Sequence, residues 1–284
     1  MDFHSPLRYP GGKGKIAGFI HKVFEQNNLQ DGCYIEPYAG GASVALSLLI
    51  NEYASKVVIN DLDRSIYSFW DSVINETDQL CKLITDTPVN RKHWKIQKEI
   101  QKNKQKVSPL ELGFSTFYLN RANRSGIIKG GIIGGAKQTG EWKIDARFNK
   151  KNLIERIERI ADYRDRIKLF NLDACVLLDK VKKDITAKTL FYFDPPYYVK
   201  GRELYVNHYK HEDHEIIAKR IAKMNSRNWI VSYDSTPEIK SLYKGYNKME
   251  YMLNYSATTA AQGKEIMFFS KGLEIPKVKT PTKN

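Results

Sequence analysis

Cys33-Tyr34-Ile35-Glu36-Pro37-Tyr38-Ala39-Gly40-Gly41-Ala42-Ser43 decides the fold of this chain. Residues 33–38 read as a short buried strand, and the small residues that follow read as a turn. Residues 44–53 continue as an apolar segment of helical length. Lys56-Val57-Val58-Ile59-Asn60-Asp61 is a second strand, β-branched at its centre and closed by an acid. Strand, helix and strand in succession make a βαβ unit, which favours a parallel sheet with a right-handed crossover. The glycine turn lets a ligand approach the backbone where the helix N-terminus offers free N–H groups. Asp61, twenty residues beyond Gly41, is placed to accept hydrogen bonds from ribose hydroxyls. Together these read as a nucleoside site. A packing turn followed by a helix cap is the plainer alternative, because the full G-x-G-x-x-G spacing is absent.

Outward from this unit the texture changes. Residues 71–162 are helical, polar and basic, with 18 Lys plus Arg against 11 Asp plus Glu, so a net +7 of the chain's +14 lies in this third of the sequence. That concentration predicts an inserted domain over residues 71–162 between the two parts, 1–70 and 163–284, of a sheet domain. Residues 126–140 carry six of the 18 glycines and read as a mobile loop. Sheet signals resume over residues 167–173 and 189–194, followed by a helix over 212–224, a strand over 229–233 and a hairpin of 249–255 with 265–269. Residues 276–284 read as a basic, frayed tail.

The 284 residues are 42% hydrophobic and 12% aromatic, enough for a sizeable core, which excludes disordered and fibrous classes. Mean hydropathy is -0.51. No run approaches the roughly 18 apolar residues of a membrane span, and the N-terminus has no apolar leader, so the expected location is cytoplasmic, with no membrane partner. Cys33, Cys81 and Cys175 are far apart and read as three buried thiols. Gly11-Gly12-Lys13-Gly14-Lys15 lacks the spacing of a phosphate loop and follows no strand. His208, His211 and His214 recur every three residues but border a charged helix start, so they read as solvated side chains and no metal site is expected.

Asp194-Pro195-Pro196-Tyr197 is the most specific feature. Consecutive prolines at the end of a buried strand cannot continue a ladder, and they present the Asp194 and Pro195 carbonyls at the crevice where open α/β sheets bind ligands. A carboxylate beside a fixed carbonyl is a two-acceptor clamp suited to an exocyclic NH2 group, and Tyr197 adds a face on which a base can stack. Arg121, Arg124, Lys129, Lys137, Lys143 and Arg147 surround the glycine-rich loop, a pattern that favours DNA contact.

These motifs, in this order, resemble those of the Dam-type (alpha group) DNA adenine-N6 methyltransferases over most of the chain. Ser5-Pro6-Leu7-Arg8-Tyr9-Pro10-Gly11-Gly12-Lys13 resembles the family's N-terminal W-x-G-G-K segment. Glu36-Pro37-Tyr38-Ala39-Gly40-Gly41-Ala42 resembles its E-P-F-x-G-x-G turn, with Ala42 in place of the last glycine. Asn60-Asp61 resembles its ribose-binding strand end, Asp194 to Tyr197 is its D-P-P-Y motif, and Phe117-Tyr118-Leu119-Asn120-Arg121 resembles its Y-L-N-R helix. Beyond Arg121 the pattern is followed only loosely, and Trp142-Lys143-Ile144-Asp145-Ala146-Arg147-Phe148-Asn149 replaces F-N-V-P-x-G, so a GATC target is not implied.

The resemblance implies an α/β, Rossmann-like S-adenosylmethionine-dependent methyltransferase fold with an inserted, mostly helical target-recognition domain. It implies S-adenosyl-L-methionine held by Tyr9, Lys13, Glu36, Tyr38, Gly40, Gly41, Asp61, Leu172, Asp173 and Asp194. Catalysis falls to Asp194, Pro195, Pro196 and Tyr197, and double-stranded DNA to Asn120, Arg121, Asn123, Arg124, Lys129 and Lys137. The implied activity is base flipping and direct methylation of the adenine amino group by a monomer, with a cognate restriction endonuclease as candidate partner. Methylation of RNA or of another planar amino group, a catalytically dead DNA-binding relative and an NAD-type oxidoreductase are the competing readings. The basic insert fits nucleic acid better than a protein substrate, and the oxidoreductase accounts for neither the insert nor Asp-Pro-Pro-Tyr.

Overall fold

The structure is a computed structural model that describes residues 4–8, 13–199, 209–224, 227–255 and 261–282. The chain divides into two compact units. One comprises Gly12–Leu62, Arg166–Tyr255 and Thr259–Asn284, and the other Met1–Gly11, Asp63–Asp165 and Ser256–Thr258.

The first unit is built on a seven-stranded sheet. Its strands are β1 (Gly32–Glu36), β2 (Ala54–Asn60), β3 (Ile167–Phe170), β4 (Thr189–Phe193), β5 (Asn228–Asp234), β6 (Asn247–Tyr255) and β7 (Ala261–Phe269). They lie in the order β3-β2-β1-β4-β5-β7-β6. The first five are mutually parallel, whereas β7 enters antiparallel between β5 and β6. All five residues of β1 and of β4 are buried, which is why these central strands read as continuous apolar runs rather than alternating ones. Helix α1 (Ala17–Gln26) precedes β1, and α2 (Ser43–Ile50) makes the β1–β2 crossover. Strand order reverses between β1 and β4, so the crevice beyond their carboxyl ends is the expected ligand position for this topology. Asn60, 1% exposed, ties that edge together. Its amide donates to the Pro37 and Leu172 carbonyls at 2.8 and 2.9 Å and accepts from the Leu172 N–H at 2.9 Å.

The second unit contains α3 (Arg64–Asn75), α4 (Thr77–Asp86), α5 (Arg91–Lys102), α6 (Pro109–Ala122) and α7 (Lys150–Ala161). Helix α6 is its axis: Ser108 caps it through the Glu111 N–H, Pro109 starts it, and ten of its 14 residues are buried. A side chain at Gly113 would collide with the Ser68 carbonyl at 2.4 Å, so glycine is what lets α3 and α6 approach. Phe69, Phe117, Tyr118 and Phe148 fill the core beside it.

Four expectations change. Residues 126–140 are a succession of hydrogen-bonded turns rather than an unanchored loop: Asn123 holds the Ile127 and Ile128 carbonyls, Lys98 those of Ile128 and Gly130, and Gln138 those of Ile133 and Gly135. The tail is not frayed over its described part, since Pro276 and Pro281 are buried. Of the three cysteines only Cys33 is fully buried; Cys81 and Cys175 are intermediate, and burial pushes the Cys81 thiol up to about 11. His214 is not solvated. On α9 (His211–Ala222), following α8 (Ala174–Lys180), it is 0% exposed, with Nδ1 3.1 Å from the Tyr233 hydroxyl and the rings of Tyr198, Tyr209 and Tyr233 around it. His208 lies outside the described residues.

Burial holds the His214 pKa down to about 4. Between the unfolded-chain value of about 6.5 and that depressed value, only the unfolded state takes up the proton, so stability falls as pH falls through this window. The loss amounts to at most about 3 kcal/mol at 1.36 kcal/mol per unit. Urea denaturation at pH 7 and pH 4.5 should show it, and His214→Phe should flatten this part of the pH dependence.

Candidate active site

Strand β4 ends at Phe193 because Pro195 and Pro196 have no N–H to extend the ladder. The chain is caught again immediately afterwards: the carboxylate of Asp234, on β5, accepts the Tyr198 and Val199 N–H groups at 2.8 and 2.9 Å. Asp194 is thereby fixed at the strand tip with its side chain 13% exposed. Its Oδ1 accepts a 2.7 Å hydrogen bond from Ser232, which itself accepts one from Tyr192 at 2.8 Å, and it lies 3.0 Å from the Lys13 ammonium. Among the described residues no donor is bonded to Asp194 Oδ2 or to the Pro195 carbonyl. Two acceptors of consecutive residues are therefore unspent among the described residues.

Lys13 links this carboxylate to another. Its Nζ donates to the Tyr197 hydroxyl at 2.7 Å, to Ser232 at 3.3 Å and to Glu265 Oε2 at 3.3 Å. Glu265, on β7 and 0% exposed, also accepts from the Tyr197 hydroxyl and, at 2.6 Å, from Tyr251. One cation thus serves two enclosed carboxylates. Burial pulls the Lys13 pKa down, but Asp194 and the surrounding phenols pull harder the other way, so it stays well above the usual lysine value. Burial pushes the Asp194 carboxyl up against the opposing pull of Lys13, and Glu265 adds to the rise. Tyr197 is 3% exposed, so its ring has to be uncovered before a base can stack on it.

Beyond β1, Gly40 (φ 47) and Ala42 (φ 47, ψ 29) are both left-handed, and Ala42 holds at some strain a conformation that glycine adopts freely. The Gly40 N–H donates to Asp61 Oδ2 at 3.0 Å, bringing the acid at the end of β2 to the turn. Gly41 completes the turn and is buried. Glu36 is 3% exposed; burial, then the nearby Asp194, holds its carboxyl well above the carboxylate range, the Ala45 N–H opposes this, and Oε2 has no partner among the described residues. Tyr38 is hydrogen-bonded to Tyr209 through the hydroxyls at 2.9 Å. Leu172 is half-buried on the Asn60 amide, and Asp173 is exposed and caps α8 through the Cys175 N–H at 2.8 Å. Tyr9 lies outside the described residues. A buried Glu36 oxygen with no donor among the described residues, a left-handed turn at a helix start and an acid at the next strand tip fit a nucleoside-bearing cation.

In the other unit the two asparagines spend their amides internally. Asn120 accepts from the Arg8 N–H and donates to the Arg8 and Gly126 carbonyls at 2.7 to 2.8 Å. Asn123 accepts from the Trp94 indole at 2.7 Å. Arg124, Lys129 and Lys137 are exposed. Arg121 is largely enclosed with a buried, unpartnered Nε, and burial with Arg8, Arg156 and Arg147 brings its pKa down to about 9. Arg8 reaches the Asn123 carbonyl and Arg156 the Ser5 carbonyl. No carboxylate pairs with these four arginines among the described residues. Nor do the described residues contain a group of three or more His, Cys, Asp and Glu that could hold a metal ion, or a helix long and apolar enough to cross a membrane.

The sequence profile of D12 class N6 adenine-specific DNA methyltransferases matches residues 9–257. The chain belongs to this family. Its sheet unit is thus a Rossmann-like methyltransferase fold, and the protein is an adenine-specific DNA methyltransferase. The Type II methyltransferase M.MjaIII of Methanocaldococcus jannaschii is 23% identical over 270 residues, covering 87% of this chain and 90% of that protein. Solved structures are similar only distantly. An uncharacterised protein from Listeria monocytogenes serotype 4b has 8% identity and a TM-score of 0.39, with 92% of this chain and 70% of that one covered. The rRNA methyltransferase aviRa from Streptomyces viridochromogenes has 11% identity and a TM-score of 0.39, with 92% and 86% covered.

In this D12 methyltransferase, Ser232, Glu265, Tyr251, Tyr192 and Asp234 surround the D-P-P-Y segment, and sequence reasoning named none of them. A signal was present: Ser232 lies inside the apolar run of β5, and Glu265 stands directly before Ile266-Met267-Phe268-Phe269 in β7, where an acid is rarely buried without partners.

Proposed function

We propose that this methyltransferase uses S-adenosyl-L-methionine to methylate the exocyclic amino group of an adenine flipped out of duplex DNA. The observation that carries the reading is that, among the described residues, neither Asp194 Oδ2 nor the carbonyl of the next residue, Pro195, has a donor, while Oδ1 is already committed to Ser232 and Lys13. An adenine amino group has two N–H donors, and its nitrogen lone pair is delocalised into the ring. Two acceptors at fixed positions favour a tetrahedral nitrogen, localise the lone pair and stabilise the positive charge that grows on it. Pro196 keeps the segment rigid, and Tyr197 provides a wall against which the base lies once the ring is uncovered.

S-adenosyl-L-methionine, when bound, supplies an activated methyl group on a sulfonium. Lys13, Glu36, Tyr38, Gly40, Gly41, Asp61, Leu172 and Asp173, with Tyr9, are the residues that would hold it, and they align it rather than react with it. Asp61→Asn keeps an acceptor for the Gly40 N–H and removes the charge that would serve the ribose hydroxyls. Calorimetric affinity for the cofactor should weaken about tenfold, roughly 1.4 kcal/mol, and unchanged affinity would remove this role.

The unit with residues 63–165 is proposed to hold double-stranded DNA. Arg8, Arg121, Arg147 and Arg156 gather positive charge that no carboxylate among the described residues neutralises, which suits backbone phosphate. Arg124, Lys129 and Lys137 are exposed and available to further phosphates, whereas Asn120 and Asn123 shape the segment that carries them. Neutralising Arg121 and Arg156 should lower the slope of log affinity against log salt by about 0.9 for each phosphate that is no longer neutralised, and an unchanged slope would return the charge to a solubility role. A restriction endonuclease acting on the same site is the partner this reading allows. Methylation-sensitive sequencing of DNA from cells expressing the protein tests the reading. Modified adenines at a defined sequence are expected, and an unmodified genome would reject it.

A further inference from the structure

We propose that Glu265 is a positioning residue for methyl transfer, holding the Tyr197 ring through its hydroxyl and holding Lys13 so that Asp194 keeps one oxygen free for the amino group. The inference rests on the proposed role of Asp194. Strand β7 places Glu265 opposite Asp234 of β5, directly across from the loop that carries Asp-Pro-Pro-Tyr. Three donors converge on this side chain: the Tyr197 and Tyr251 hydroxyls and the Lys13 ammonium. A carboxylate that is 0% exposed, in a strand whose neighbours Ile266, Met267 and Phe268 are core residues, is costly to keep, and packing would be served as well by an apolar residue of similar size.

What the arrangement achieves is a division of one cation between two carboxylates. Lys13 reaches Asp194 at Oδ1 and Glu265 at Oε2, so one ammonium is shared between two enclosed carboxyl groups. The arrangement is in place before any positive charge develops on a substrate nitrogen, and it needs no reorganisation when it does. The Tyr197 hydroxyl is meanwhile held between Lys13 and Glu265, which restrains the ring at its far end. Among the described residues the titratable groups around Asp194 are Lys13 from the N-terminal turn, Tyr34 and Glu36 from β1, Tyr192 from β4, Tyr197 in the motif, Tyr251 from β6 and Glu265 from β7. Of these, Glu265 is the carboxylate that raises the Asp194 pKa most.

Glu265→Gln keeps the shape and removes the charge. Measured on the full chain with duplex DNA, kcat should fall about 10- to 100-fold while KM for DNA and cofactor affinity stay within about threefold. The acid limb of the kcat profile should move to lower pH, because Asp194 loses a like-charged neighbour. Tyr251→Phe, which takes one donor from Glu265, should move the limb the same way by less, and it serves if the glutamine variant does not fold. Wild-type kcat with an unmoved acid limb would overturn the proposal, as would a fall in kcat with the limb unmoved, since a purely structural role predicts the latter. These outcomes count against Glu265 only if the wild-type protein methylates adenine. If it does not, the reading of Asp194 fails instead.

Discussion

Asp194→Ala should lower the rate of methyl transfer to duplex DNA by about 10³-fold, close to 4 kcal/mol of transition-state stabilisation, while the fold is retained. The magnitude follows from removing the charged member of a two-acceptor clamp and leaving only the Pro195 carbonyl. Retention of the fold follows from the local balance of charge: without Asp194, the Lys13 ammonium still has Glu265, so no buried cation is stranded. DNA affinity should change less than threefold, because the arginines proposed to bind phosphate belong to the other unit. Single-turnover rates, with thermal melts and DNA titrations on the same samples, check all three. Asp194→Asn should recover little activity, since an amide presents one acceptor and no charge.

Lys13→Met should be more destabilising than any of the other substitutions. Removing the cation takes from Asp194 and Glu265 the ammonium they share and leaves them the hydrogen bonds from Ser232, Tyr197 and Tyr251. Breaking an enclosed ion pair by deleting one partner typically costs about 3–5 kcal/mol, and for a chain of this size the melting temperature should drop on the order of 10 °C. The pH dependence has a definite sign. Without Lys13 both carboxyls have folded-state pKa values raised above those of the unfolded chain, so stability is greatest at low pH and is lost as pH rises through the raised values. The melting difference from wild type should therefore shrink on acidification, and Glu265→Gln in the same chain should restore part of the loss. An equal deficit at all pH values would mean that Lys13 matters by packing alone.

The sheet was legible because each strand carries a local signature. Residues 33–36, 56–60 and 189–193 are apolar and β-prone enough to stand out, and Pro195-Pro196 marks an end that no central strand survives. Elements were misjudged where context decides. His214 reads as polar on a charged helix, yet three tyrosines from separate segments enclose it. The glycine-rich stretch reads as loose, yet Asn123, Lys98 and Gln138 bind its carbonyls. Asp194 and Asp61 stand out in the sequence because an acid there coincides with a strand end, and the structure places both directly after a strand. Lys13 stands out only through its motif, because its contacts with Asp194 and Glu265 join residues separated by 181 and 252 positions, a distance no local pattern spans. Asn120 and Asn123 show the converse: a motif identifies the residues, but their hydrogen bonds show them supporting backbone.

The central claim is that the acceptor pair at Asp194 and Pro195 serves the amino group of adenine in DNA. Its most direct test is nucleoside mass spectrometry of duplex DNA incubated with the purified protein and S-adenosyl-L-methionine bearing a labelled methyl group, with the Asp194→Ala protein alongside. The label should appear in N6-methyladenine with the wild-type protein and be about 10³-fold less with the variant. Label in N4-methylcytosine, label in RNA but not DNA, or equal labelling by the two proteins would contradict the account.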